Sequence, residues 1–352
     1  MGKKIRYILI PFSIIYSGII WGRNKLFDRK VFRSASFNFP VICVGNLAVG
    51  GTGKTPMVEY LIGILKNKYS VATLSRGYKR KTKGFAIAND STNALEIGDE
   101  PMQIHKKFPE VTVAVAEERV IGIPQLLFER PGTGVIILDD AFQHREVKAG
   151  LNILLTAYNN LYSGDTMLPA GNLRDVRSSS KRAEIIIVTK CKPDLSEEES
   201  VKIVKELNPL PEQKIYFTQI KYGVPYHLFS KEKNPISSNS DVLLICGIAN
   251  PKPLKKLITS SFSSLEVMMY SDHHIFNSSD LKQIKKQYGD IKSNQKIILT
   301  TEKDGVRLAK FEKELEHLPI YVLPMEHQFL FGGNEEFGKG VINFIDSFKN
   351  DL

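Results

Sequence analysis

The run Val41-Ile-Cys-Val-Gly45-Asn-Leu-Ala-Val-Gly50-Gly51-Thr52-Gly53-Lys54-Thr55-Pro56 decides how the rest of the chain is read. A strand-like apolar segment passes directly into a glycine-rich turn closed by Gly-Lys-Thr, and residues 56–66 have the composition of a helix. Gly50, Gly51 and Gly53 can take φ > 0 and leave room for backbone N–H groups to face phosphate oxygens. Lys54 reaches the same oxygens as a mobile positive charge, and Thr55 offers a hydroxyl to Mg²⁺. Gly50, Gly51, Thr52, Gly53, Lys54, Thr55 and Pro56 are therefore the expected nucleotide-binding residues. Only Ala48 departs from the usual spacing, standing where a first glycine is expected.

The acids that such a loop needs come later. Val135-Ile-Ile-Leu-Asp139-Asp140-Ala-Phe-Gln-His144 is an apolar strand ending in two carboxylates, one suited to the Mg²⁺ water shell and the other to the metal or a neighbouring group. Thr55, Asp139 and Asp140 are the candidate metal residues. Short aliphatic runs at 41–44, 71–74, 111–115, 135–138, 153–155 and 185–188 lack strict alternation, as strands covered on both faces do. Helical stretches at 56–66, 118–129 and 198–206 interleave with them. The expected fold is α/β, a P-loop NTPase-like, mostly parallel sheet with helices on both faces. Ligands gather at the carboxyl ends of such strands, where Ser75-Arg76-Gly77-Tyr78 and Asp139-Asp140 fall. Arg76 joins Lys54, Asp139 and Asp140 as a candidate catalytic residue.

At 352 residues with 42% hydrophobic content, the chain is long enough for two domains. Its composition shifts between 209 and 241, where strand-like pieces at 214–220 and 226–229 precede a polar run, so a two-stranded hinge is expected over 213–241. The expected division is an N-terminal helical region over 1–36, the phosphate-loop core over 37–212, that hinge, and a smaller C-terminal α/β domain over 242–352. The three cysteines, Cys43, Cys191 and Cys246, are far apart and lack metal-ligand spacing, which fits a reducing compartment and excludes a structural zinc site.

A net charge of +10 invites a polyanionic partner. The N-terminus narrows the choice. ILIPFSIIYSGIIW, residues 8–21, is too short to cross a hydrocarbon core and is flanked by Lys3, Lys4 and Arg6 before and Arg23, Lys25, Arg29, Lys30 and Arg33 after. A helix in the membrane interface is expected, with Tyr16 and Trp21 near headgroup depth and the bases on anionic lipid; packing on the globular core is the alternative.

Three further clusters are polar. Gly98-Asp99-Glu100-Pro101 reads as a constrained turn. Asp272-His273-His274 and Thr300-Thr301-Glu302-Lys303-Asp304 each follow a strand of the second domain. A histidine whose tautomer is fixed by a carboxylate can take a proton. With Asp99 in the core and His273 in the second domain, their meeting is expected to require closure of the hinge.

Taken in order, these stretches resemble the tetraacyldisaccharide 4'-kinase family of lipid A biosynthesis. The resemblance rests on 45–56, Ser75-Arg76-Gly77-Tyr78, Gly98-Asp99-Glu100-Pro101, Asp139-Asp140-Ala141-Phe142-Gln143-His144, Pro169-Ala170-Gly171-Asn172-Leu173-Arg174, Asp272-His273 and Thr301-Glu302-Lys303-Asp304. It covers nearly the whole chain. Ala141 replaces the family's usual glycine, which is tolerated only at negative φ, while Asp175 stands for a glutamate and Val176 for a proline. The resemblance implies transfer of the ATP γ-phosphoryl to the 4'-hydroxyl of a tetraacylated glucosamine disaccharide 1-phosphate, giving lipid IVA, with Mg²⁺. It implies a peripheral protein on the cytoplasmic face of a Gram-negative inner membrane, Asp99 paired with His273 near the attacking hydroxyl, and Asp175 in a metal role. A monomer is expected.

Three rival classes are weaker. A P-loop GTPase or transport ATPase shares Gly-Lys-Thr and the strand-end acid, but Thr189-Lys190-Cys191 lacks the aspartate of a guanine reader. Nucleic acid is not an expected partner, because the basic excess is concentrated at the N-terminus among aliphatics rather than arrayed with exposed aromatics. A lipid-binding module without turnover has no use for Lys54, Asp139 and Asp140.

Overall fold

The computed structural model describes residues 6–233, 235–248 and 250–348. The apolar run before the glycine turn forms β1 (Val41–Asn46), buried along its full length. It lies inside a nine-stranded sheet with β2 (Val71–Ser75), β3 (Ala86–Ile87), β4 (Thr112–Val115), β5 (Val135–Asp139), β6 (Leu151–Ala157), β7 (Ile185–Thr189), β8 (Lys214–Tyr222) and the C-terminal strand Met325–Phe329. The order across the sheet is C-terminal strand, β8, β7, β6, β1, β5, β2, β4, β3. Pairing is parallel from β8 to β4, and β3 runs antiparallel to β4. The chain winds from β1 to β2 and β4 on one side and, after β5, to β6, β7 and β8 on the other. Its direction switches beside β1, the place where such sheets bind ligands.

Both faces of this sheet are covered, which is why its strands read as unbroken aliphatic runs. The helix after the glycine turn, Lys54–Leu65, buries Met57, Val58, Leu61, Ile62 and Leu65. Each such side chain contributes roughly 1.5–3 kcal/mol, so the turn is anchored by its helix. Gly45 is required for a different reason: a Cβ there would lie 2.5 Å from the Cβ of Phe142, which packs directly over β1.

The expected division of the chain needs two corrections. The segments at 214–220 and 226–229 do not form a two-stranded connector: β8 is a parallel strand of the large sheet, and β9 (Tyr226–His227) pairs with a second sheet. That sheet runs β9, β13 (Ile320–Leu323), β12 (Lys296–Thr301), β10 (Asp241–Cys246), β11 (Ser264–Met269), parallel except for β9 against β13. Nor is 242–352 one domain. The larger compact unit takes residues up to Ile97, Lys107–Lys221 and everything from Glu326, while the smaller takes Gly98–Lys106 and Tyr222–Met325. The C-terminal strand, β14, and the helix Gly333–Ser347 return because Phe337, Val341 and Ile345 form an apolar stripe, with Phe337 meeting Tyr60, Tyr216 and Phe329 at ring-centroid separations of 6.0, 5.5 and 4.8 Å.

The N-terminal helix Ile10–Asp28 packs on the larger unit with its polar side inward. Ser13 Oγ accepts from the Ala170 N–H at 2.9 Å, Tyr16 donates to the Arg174 carbonyl at 3.2 Å, and Asn24 donates to Asp175 at 2.8 Å. Tyr16 thus faces the protein, contrary to the expected headgroup position, whereas Trp21 is exposed. Ile8, Phe12, Ile15 and Ile19 are 74, 60, 62 and 64% exposed along one stripe. Among the described residues no helix is long and apolar enough to cross a membrane. Lys3 and Lys4 lie outside the described residues.

Candidate active site

Two of the three glycines of the turn have the left-handed backbone open to them, and Gly51 does not. Gly50 and Gly53 have φ of 108° and 87°, and Gly53 is the residue from which the helix starts, so its N-terminal N–H groups and Lys54 share one end. Asn46, at the end of β1, ties this turn to its surroundings: its Nδ2 donates to Thr52 Oγ1 at 2.9 Å and its Oδ1 accepts from Arg174 at 2.6 Å.

The strand-end acids take different positions. Asp139 is buried and lies opposite Val44 in the β1–β5 register, one residue before the close-packed Gly45. Asp140 turns out of the strand with φ of 52°, its N–H donating to the Val44 carbonyl. Its carboxylate lies 3.8 Å from Lys54 Nζ and accepts two bonds from Arg174. Burial works to raise the Asp140 pKa, but Lys54 and Arg174 outweigh it, and the group is held below the ordinary carboxylate range. The left-handed residue here is Asp140; Ala141 is not among the positive-φ residues, so the substitution of the usual glycine brings no backbone strain.

Positive charge collects at this end of the sheet. Arg119 is fully buried at the start of the helix Arg119–Glu129, and burial followed by the charge of Arg76 pushes it down to about 10. Arg76 itself is exposed. His144 is pushed down to about 4, first by burial and then by Arg119 and Arg76, so it is neutral at pH 7.

Asp175 does not have the environment of a metal ligand. Its Oδ1 accepts from Asn24, Ser179 and the Val176 N–H, and its Oδ2 accepts from Arg182 at 3.0 Å. With 1% exposure and both oxygens occupied by donors, it fastens the N-terminal helix to the segment after Arg174. Among the described residues no three His, Cys, Asp or Glu side chains converge as a metal site.

Asp99 and His273 meet, and they do so inside one compact unit. Asp99 is the first residue of the helix Asp99–Lys107 rather than part of a turn, because Pro101 is tolerated in a first turn and Asp99 and Glu100 favour the positive helix end. That segment packs with the smaller unit, so the pair needs no closure between domains. His273 Nδ1 is 2.8 Å from Asp99 Oδ2, and its Nε2 is 3.0 Å from Lys303 Nζ. An ammonium only donates, so Nε2 is the acceptor; Nδ1 carries the hydrogen given to Asp99, and the Arg307 Nη2 that lies 3.1 Å from Nδ1 donates instead to the same Asp99 oxygen. Arg307 then grips both Asp99 oxygens, Nε to Oδ1 at 2.9 Å and Nη2 to Oδ2 at 2.5 Å. Burial works to raise the Asp99 pKa, yet the Arg307 hydrogen bonds and charge, with His273 behind them, hold it low. Lys303 is also held by Asp272 at 3.0 Å and Glu100 at 3.4 Å.

Arg307 and Arg174 escaped the reading of the sequence as site residues. Arg174 closes the stretch Pro169–Arg174, and Arg307 lies one helical turn beyond Lys303, on the helix Glu302–Leu308 that Thr301 caps. That spacing was the available signal.

Residues 5–345 match the family model described as tetraacyldisaccharide-1-P 4'-kinase. The chain is similar to the tetraacyldisaccharide 4'-kinase of Bacteroides thetaiotaomicron, 45% identical over 97% of this chain and 94% of the relative. It is similar to that of Flavobacterium johnsoniae, 48% identical over 97% of each. A crystal structure of LpxK from Aquifex aeolicus in complex with ATP superposes with a TM-score of 0.75 at 29% identity, covering 97% of this chain and 99% of that one. With its glycine turn, strand-end acids and paired Asp99 and His273 falling in the matched region, this chain belongs to the tetraacyldisaccharide 4'-kinase family of lipid A biosynthesis.

Proposed function

We propose a division of labour for the family's reaction, ATP-dependent phosphorylation of the 4'-hydroxyl of a tetraacylated glucosamine disaccharide 1-phosphate to give lipid IVA. The observation that carries it is the ion pair of Lys54, at the start of the helix after the glycine turn, with Asp140, just past the end of β5, beside a turn whose Gly50 and Gly53 have positive φ. Gly51, Gly53, Lys54 and Thr55 offer backbone N–H groups to the ATP phosphates, the Thr52 N–H being closed on the Gly50 carbonyl, and Lys54 meets the charge on the transferring phosphoryl. Arg76 adds positive charge on the same side. Thr55 and Asp139 are the residues that would hold Mg²⁺, through hard oxygen donors. When bound, Mg²⁺ neutralises charge developing on the phosphates. Asp140, already gripped by Arg174, positions Lys54 more than it binds metal.

His273 takes the proton of the acceptor hydroxyl at Nε2. Asp99 fixes the Nδ1–H tautomer and stabilises the imidazolium that forms. Lys303 gives up Nε2 to the hydroxyl and remains held by Asp272 and Glu100.

The exposed stripe of Ile8, Phe12, Ile15 and Ile19 lies in the interface of an anionic membrane, at the cytoplasmic face of the inner membrane, where an acylated acceptor is found. A helix docked by its polar atoms with aliphatics turned outward supports that reading.

The test is transfer of radiolabelled γ-phosphate from ATP to the disaccharide 1-phosphate in anionic vesicles, with a 4'-blocked acceptor as control. Label in the unblocked lipid only, with Ile15→Glu/Ile19→Glu protein losing vesicle co-sedimentation, is the expected result. Label independent of the 4'-hydroxyl would overturn the chemistry, and unchanged co-sedimentation would overturn the membrane role.

A further inference from the structure

Three successive carbonyls of the glycine turn each accept a hydrogen bond from a side chain behind it. Lys190 Nζ donates to the Gly51 carbonyl at 2.5 Å, Thr189 Oγ1 to Thr52 at 2.7 Å, and His327 Nε2 to Gly53 at 2.9 Å. Thr189 and Lys190 come from the carboxyl end of β7 and His327 from β14. A trans peptide is planar, with its N–H opposite its C=O. Holding these carbonyls therefore sets the direction of the N–H groups of Thr52, Gly53 and Lys54.

His327 is the most constrained of the three. It is 4% exposed, and a Cβ on Gly53 would lie 2.9 Å from its Nε2. A carbonyl only accepts, so Nε2 carries the hydrogen and Nδ1 accepts from the fully buried Thr218 hydroxyl at 2.9 Å. Burial pushes the ring down to about 4, so it is neutral at pH 7 and the tautomer is fixed by Thr218. Gly53 uses its second lone pair for the first helical bond, from Met57 N–H at 3.1 Å.

We propose that His327, set by Thr218 and flanked by Thr189 and Lys190, is a positioning residue that holds the glycine turn ready for a nucleoside triphosphate. Its contribution is preorganisation, because the turn's peptide planes need not be ordered when the phosphates arrive. The inference rests on the turn being the ATP site.

The experiment measures ATP affinity by calorimetry, beside kcat and KM for ATP, in the full chain carrying His327→Leu or His327→Gln. Leucine removes both hydrogen bonds, while the glutamine amide nitrogen can replace Nε2–H. His327→Leu is expected to weaken ATP binding about tenfold, with KM rising more than kcat falls, and His327→Gln to recover most of that loss. Equal impairment in both variants, or unchanged affinity in folded His327→Leu, would overturn the proposal. Where His327→Leu does not fold, Thr218→Val carries the test: weaker ATP binding supports the proposal and unchanged binding overturns it. Failure of wild-type protein to bind ATP would instead overturn the reading of the turn itself.

Discussion

The glycine turn and the Asp99 cluster hold charge in opposite ways. At the turn, residues 46–54 are contiguous, and backbone conformation does most of the work: φ of 108° at Gly50 and 87° at Gly53, with a helix starting at Lys54. The Asp99 cluster draws Asp99, His273, Lys303 and Arg307 from three separate segments, and its geometry is all side chain. A backbone site is ordered by steric limits that each residue carries with it. A side-chain site is ordered by mutual charge, so removing one member retunes the others.

The largest expected effect lies at the turn, where Lys54 meets the charge of the transferring phosphoryl directly. Lys54→Ala should lower kcat by about 10³-fold or more with the fold retained by circular dichroism. Near-normal turnover would remove the turn from catalysis and end the contrast.

At the cluster, Arg307→Gln should retune Asp99 instead of abolishing it. The Asp99 pKa is held below its ordinary value, so the stability this gives is present above the unfolded pKa and is lost as pH falls through the folded one. Without Arg307 the folded pKa rises. Protonated Asp99 cannot stabilise the His273 imidazolium, so the acid limb of the kcat/KM profile should move to higher pH. An unmoved limb would show that Arg307 only packs.

The smallest catalytic effect is expected at Asp175, which belongs to neither region. Asp175→Asn leaves Arg182 with a weaker partner and should lower stability by about 1–3 kcal/mol, read from denaturant unfolding. The Mg²⁺ dependence of the folded enzyme's rate should be unchanged; a raised Mg²⁺ requirement would restore the metal role implied by resemblance.

The N-terminal helix shows how far sequence pattern reaches. Its run of aliphatics between basic flanks leads to the expectation of a membrane-interface helix, and the structure has a helix with an exposed aliphatic stripe. Which residues face the protein was not legible, because Ser13, Tyr16 and Asn24 dock through partners at Ala170, Arg174 and Asp175, some 150 residues away in a segment without regular periodicity. Hydrophobic patterning measures burial in one element's own frame and is silent on hydrogen bonds to a distant loop.

What the sequence by itself determined are the features written in short range: the covered strands, the glycine turn, the helix behind it and the acids ending β5. Their causes are local, since steric freedom at glycine, lack of alternation and a strand-end charge belong to neighbouring residues. Only the tertiary structure decided that Gly98–Lys106 joins the smaller unit, that β14 returns to the large sheet, and that Asp175 is a fastening. It alone set Arg307 on Asp99 and His327 under Gly53. Those pairings join residues 208 and 274 positions apart, and a charge or hydrogen bond acts over a few ångströms of space whatever the length of chain between its partners.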